Sequence, residues 1–181
     1  MNKLVCTAAL FAATLSASAA HAADTFYLGA GIGTRGTLNL STPAGPIQNT
    51  NHPRPVRVFG GYNVTDHFAI EAGYLDFGKY KFTVPATVGI SAYQVAARGN
   101  LKLGESWAVF AKAGASHIKV EQNGVGLGDL SETRPLLGIG TGYALTKDIA
   151  LEVEFLHSGK VKSERARLNL RQVQASVRYT F

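Results

Sequence analysis

From residue 24 onward, apolar and polar positions alternate with a period of two through most of the chain, and turn-forming residues interrupt the alternation at intervals. Two stretches repeat one another: Gly61-Tyr-Asn-Val-Thr-Asp-His-Phe-Ala-Ile-Glu-Ala-Gly-Tyr74 and Gly142-Tyr-Ala-Leu-Thr-Lys-Asp-Ile-Ala-Leu-Glu-Val-Glu-Phe155. In each, an apolar strand carrying an aromatic meets a Thr-x-x corner and resumes as alternating residues with a carboxylate on the polar side, the pattern of a tightly turned β-hairpin. The alternation predicts eight strands, at about 24–34, 55–64, 67–77, 91–103, 106–119, 134–145, 148–158 and 167–181. Tight corners fall at Thr65-Asp66, Gly104-Glu105 and Thr146-Lys147, and longer connections at 35–54, 78–90, 120–133 and 159–166. A meander of this kind closes into an all-β, eight-stranded antiparallel up-and-down barrel.

Alternate residues sort into two faces. One is uncharged, with Leu28, Ile32, Val58, Ile70, Val95, Val109, Ile139, Val153 and Val177 among its members. Near its ends gather Tyr62, Phe68, Trp107, Tyr143, Tyr179 and Phe181 by the short corners, and Tyr74, Tyr93 and Phe155 towards the longer connections. The other face holds Arg57, Glu71, Arg98, Lys102, Lys112, Glu152, Glu154, Gln172, Gln174 and Arg178, interleaved with glycines at 29, 31, 33, 61, 73, 114, 138, 140 and 142.

Alternation alone does not say which face is inside, since a secreted soluble barrel of the lipocalin type has the same period with apolar residues inward. The first residues bear on the question. Lys3 precedes an apolar run from Leu4 to about Leu15, followed by small residues ending Ala20-His21-Ala22. This predicts a cleaved secretory signal over 1–22 and one barrel domain over 23–181. Cys6 is the only cysteine and falls in that signal, so no thiol, disulfide or thiolate metal chemistry is expected in the exported chain. The net charge of +6, less Lys3, is small and dispersed, which argues against a nucleic-acid groove.

Three features put lipid against the uncharged face. Glycines crowd the charged face, where a narrow lumen needs small residues beside long ones. The aromatics form belts of the kind found at lipid headgroups. The chain also ends in alternating apolar residues with Tyr179 and a terminal Phe181, similar to the signal by which outer-membrane barrels are recognised for assembly. A Lys or Arg facing lipid at midplane costs about 2–4 kcal/mol, so the charged face must be the lumen.

The hairpin motif and this ending resemble the eight-stranded transmembrane domain of outer membrane protein A and its small relatives, most strongly at 55–77, 96–119, 134–157 and 173–181. The resemblance implies a bacterial outer-membrane barrel with both termini periplasmic, assembled with the barrel-assembly machinery and periplasmic chaperones, and most simply a monomer. It also implies a salt-bridged lumen network, whose matching positions are Glu71, Lys102, Lys112 and Glu154. The family's larger members carry a peptidoglycan-gripping domain; the chain given stops at the last strand, so that role is not carried over.

For chemistry, the expectation is a plugged lumen with a structural or surface-interaction role; the alternative is a narrow pore for ions or small solutes, in which Glu71 or Glu154 exchanges partners among Lys102, Lys112 and Arg98. Some small outer-membrane barrels modify lipid A, but Ser116-His117 and His157-Ser158 are adjacent strand residues that point to opposite faces. No catalytic, cofactor or metal site is therefore expected, and His52, His67, His117 and His157 lack ligand spacing. Arg35, Arg54, Lys79, Lys81, Lys119, Arg134, Lys160, Lys162, Arg165 and Arg167 fall near the long connections, where they suit the phosphates of lipopolysaccharide.

Overall fold

A computed structural model describes residues 26–34, 40–42, 45–47, 51–81, 87–123, 130–163 and 166–181. Its strands are β1 (Phe26–Gly33), β2 (Leu40–Thr42), β3 (Gly45–Ile47), β4 (Val56–Thr65), β5 (Phe68–Lys81), β6 (Thr87–Leu103), β7 (Trp107–Asn123), β8 (Leu130–Ala144), β9 (Ile149–Ser163) and β10 (Ala166–Thr180). Eight of them close a barrel in the order β1-β10-β9-β8-β7-β6-β5-β4, every neighbour antiparallel, while β2 and β3 pair as a separate hairpin. The barrel and all eight strands of the sequence reading are present; the segment expected to be a signal lies outside the described residues.

The corners follow from local chemistry. In the two repeated hairpins a threonine hydroxyl accepts from the backbone ahead of it: Thr65 Oγ1 from the amide of His67 at 3.3 Å, Thr146 Oγ1 from those of Asp148 at 3.3 Å and Ile149 at 3.0 Å. Gly104 turns the third corner with φ +78°.

The connections at the other end differ from expectation. The described residues of segments 78–90, 120–133 and 159–166 are strand, with β5 running on to Lys81, β6 starting at Thr87, β7 ending at Asn123 and β8 starting at Leu130. The alternation persists there with its faces exchanged: Phe77, Tyr80, Val88, Ile90, Ile118 and Val120 turn inward and pack with Leu75 and Ala92 as one buried cluster. A bulge between Asp76 and Gly78 hides this in the sequence by shifting the parity of β5. Gly78 takes φ +82°, and its amide donates to Asp76 Oδ1 at 2.7 Å.

Among the described residues the projecting strands do not form a complete ring. Val56 at the start of β4 pairs with Asp76, leaving residues 77–81 of β5 beyond the β4 ladder. Asn51 covers this edge: its Nδ2 donates to the Lys79 carbonyl at 2.8 Å and its Oδ1 accepts from the Lys81 amide at 2.7 Å. On the other flank β8 pairs with β9 only from Leu137 opposite His157. Pro135, which lacks an amide hydrogen, sits just beyond the last pair.

Candidate functional site

Small residues opposite large ones give the lumen its contents. Cross-strand pairing sets Arg57 against Gly31, Glu71 and Tyr27 against Gly61, Phe59 against Gly29, Lys112 against Gly138, Phe110 and Glu154 against Gly140, and Glu152 against Gly142. A Cβ added at Gly29 would stand 2.2 Å from the Phe59 ring, one at Gly61 2.2 Å from that of Tyr27, and one at Gly140 2.4 Å from that of Phe110. At these glycines the absence of a Cβ leaves the space that the ring of the neighbouring strand occupies.

At mid-barrel the charged side chains interlock. Arg57 donates to Glu71 Oε1 at 2.6 Å and to Glu154; Lys112 Nζ lies 2.8 Å from Glu71 Oε1 and 2.6 Å from Glu154 Oε2. Arg98 grips Glu152 with both terminal nitrogens, at 2.7 and 3.1 Å, and its Nε donates to Asn100 Oδ1 at 2.7 Å. Arg178 Nε reaches Glu152 Oε1 at 2.8 Å, and the Tyr27 hydroxyl donates to Glu71 Oε2 at 3.0 Å. The side chains of Arg57, Glu71, Arg98, Lys112, Glu152 and Glu154 are at most 2% exposed. Burial of that depth is tolerable only because each charge has several partners; deleting one carboxylate would strand two cations.

Aromatic faces complete the cation shells. The Arg98 guanidinium sits 3.8 Å from the Phe110 centroid and 5.9 Å from that of Tyr27, Arg57 sits 4.6 Å from Phe59, and Lys112 lies 5.1 Å from Phe110 and 5.4 Å from Phe59. The sequence reading placed the charges but missed Tyr27, Phe59 and Phe110. The available signal was an inward aromatic with a glycine on the adjacent strand.

Seven of the eight predicted network residues converge. Lys102 does not: it faces inward but lies at the exposed short-corner end of β6, with no ion pair among the described residues. The network has in effect slid inward, because Arg57 and Arg98 occupy the carboxylates that Lys102 was expected to share.

Above and below the network the interior changes character. Towards the long connections lies an amide layer of Gln94, Gln172 and Gln174, each at most 5% exposed, and beyond it the apolar cluster of β5, β6 and β7. At the short-corner end an open cavity of about 530 Å³ reaches down to Arg98, Glu152 and Arg178.

On the outside, Tyr62, Phe68, Tyr93, Trp107, Tyr143, Phe155, Tyr179 and Phe181 are exposed, and Tyr74 is half-buried. They form ring pairs, Phe26–Tyr62 at 4.9 Å, Trp107–Tyr143 at 5.0 Å and Tyr179–Phe181 at 4.9 Å at one end, Tyr74–Tyr93 at 5.1 Å at the other. Lys119 Nζ stands 5.4 Å above the Tyr93 ring. Arg54, Lys79, Lys81, Lys119 and Arg171 are exposed around the long-connection end, while Arg134 pairs with Glu132. The side chains of Arg35, Lys160, Lys162, Arg165 and Arg167 lie outside the described residues. Ser116 and Ser158 are buried in the lumen, and the histidines beside them lie on the opposite face, where His117 Nδ1 is 2.9 Å from Thr133 Oγ1.

The family described as outer membrane protein beta-barrel domain matches residues 7–181. Among solved structures the fold is similar to neisserial surface protein A, at 20% identity and TM-score 0.57, covering 86% of this chain and 97% of that one. It is also similar to Ail, the attachment invasion locus protein of Yersinia pestis, solved with the heparin analogue sucrose octasulfate, at 12% identity and TM-score 0.58 over 88% of this chain and 100% of that one. The N-terminal β-barrel domain of Pseudomonas aeruginosa OprF matches at 14% identity and TM-score 0.58, over 88% of this chain and 100% of that one. No curated protein sequence matches the chain.

Proposed function

The chain belongs to the outer membrane protein beta-barrel domain family, and on that premise we propose that it is a closed, non-catalytic outer-membrane barrel that presents its long connections as an extracellular interaction surface. Both termini are periplasmic in this reading, and residues 1–22 are removed on export. The observation that carries it is the doubly blocked interior: an ion-paired layer at most 2% exposed, with an apolar cluster stacked beyond it. A polar path would have to cross the ion-paired layer, which does not open without stranding buried charge, and the apolar cluster narrows the route beyond it.

The exposed cations Arg54, Lys79, Lys81, Lys119 and Arg171 support an anionic partner at the outer rim. The class we favour is the phosphate of lipopolysaccharide, for which planar guanidinium and ammonium groups just above an aromatic belt are well placed. Ail of Yersinia pestis, a fold neighbour, has been solved with a sulfated heparin analogue, and polyanions of that kind are a second ligand class for the rim.

The unpartnered amides of Gln94 and Gln172 favour one competing reading, a narrow hydrated path past the network. Conductance of the refolded chain in a planar lipid bilayer decides between the two. A silent membrane is expected for the native chain, and discrete channel events abolished by adding bulk at Gly61 would overturn the closed-barrel reading in favour of the pore.

A further inference from the structure

The cavity at the short-corner end has a charge problem. Along the mid-barrel and its floor, four cations, Arg57, Arg98, Lys112 and Arg178, face three carboxylates, Glu71, Glu152 and Glu154. The excess falls towards the cavity end: among the described residues Arg178 has one carboxylate, Glu152, and shares it with Arg98, which also lies 3.5 Å from Glu71. Lys102 then adds a further positive charge on the cavity wall, with no ion pair among the described residues. Asp66 and Glu105 line the cavity too, but both belong to the corners at its mouth.

The space exists for a sequence reason. One wall is built from Ala108, Gly142, Ala144 and Ala150, where a narrow barrel would ordinarily be filled by longer side chains. Neutral hydrogen-bonding groups, Asn63, Asn100 and Thr180 among them, also line it, and Lys147 at a corner of the mouth pairs with Asp148. Lys102 on β6 and Arg178 on β10 enter from opposite sides of the ring, with the buried Arg98–Glu152 pair closing the inner end. A concave site with converging donors and a local surplus of positive charge is complementary to a compact anion.

We propose that this vestibule binds a small oxyanion, of the phosphate or carboxylate class, held between Lys102 and Arg178 and stopped by the Arg98–Glu152 floor. The site needs only the vestibule and its charge, and stands whether or not the barrel conducts. The ligand enters and leaves by the short-corner end; it neutralises the lumen without crossing it.

The test is a nuclear magnetic resonance titration of the full chain refolded in zwitterionic micelles at low salt, first with inorganic phosphate and then with succinate. Saturable shifts are expected at the amides of Asn63, Asn100 and Thr180. Lys102→Gln should weaken binding about tenfold, the usual cost of one charge-assisted contact, while Lys102→Arg restores it. Lys102 is exposed at a strand end, so both variants fold, and an unchanged pattern of dispersed amide resonances verifies this. Binding of phosphate alone, of succinate alone or of both supports the site and assigns its anion class. Linear, non-saturating shifts, shifts confined to the other end of the barrel, or equal affinity in Lys102→Gln would overturn it.

Discussion

The same three strands, β5, β6 and β7, behave in opposite ways below and above the row formed by Tyr74, Tyr93 and His117. Below it, outward residues such as Ile70, Val95 and Val109 are apolar and exposed while inward ones such as Glu71, Arg98 and Lys112 are charged and buried. Above it, Asp76, Lys79, Ser91, Lys119 and Glu121 lie on the outer face, and Phe77, Tyr80, Val88, Ile90, Ile118 and Val120 fill the interior. One pleated sheet thus obeys two solvents, and the sign of its alternation marks where lipid gives way to water. A tilted crossing needs only about 9–11 residues; β6 and β7 each have 17, and the surplus forms the inverted upper section.

Four substitutions test this contrast, and each is read as a shift of the urea unfolding midpoint of the chain reconstituted in lipid vesicles. Glu71→Ala carries the largest effect, because it leaves Arg57 and Lys112 short of a shared carboxylate; a loss of about 3–5 kcal/mol is expected, and an unaltered midpoint would mean the network is hydrated rather than interlocked. Next is a matched pair. Val153→Arg on the lipid band should cost about 2–4 kcal/mol, whereas Ser91→Arg on the outer face of the upper section should stay within about 0.5 kcal/mol. Equal costs would erase the boundary drawn at the Tyr74–Tyr93 row. An effect smaller than that of Val153→Arg is expected for Gly29→Ala, at about 1–3 kcal/mol, because its new methyl must push aside the Phe59 ring. A neutral result would show that the ring has room to rotate.

The lower section was readable from sequence because lipid enforces a strict code there: every outward residue from Phe68 to Tyr74 is apolar and every charge points in. The hairpin corners were readable for the same reason, since Thr65 and Thr146 act locally. The upper section was not. A single bulge at Asp76–Gly78 offsets the period by one, and Gly78, Lys79, Lys81, Thr87 and Gly89 have the composition of a loop although they pair as strands. Lys102 was misplaced because alternation fixes a face but not a depth; which carboxylate a cation reaches depends on strand stagger around the ring. Phe59 and Phe110 are not marked by the alternation, because an aromatic among lumen charges reads as an exception until its glycine neighbour is taken with it.

One small contact has a wider consequence. By filling the open hydrogen-bonding positions of β5 with its own side-chain amide, Asn51 behaves as a one-residue ninth strand, and Pro135 blunts the β8 flank at the far side of the split wall. Copies crowded into the plane of a bilayer are thereby denied the backbone template along which neighbouring molecules would otherwise zip together into sheets.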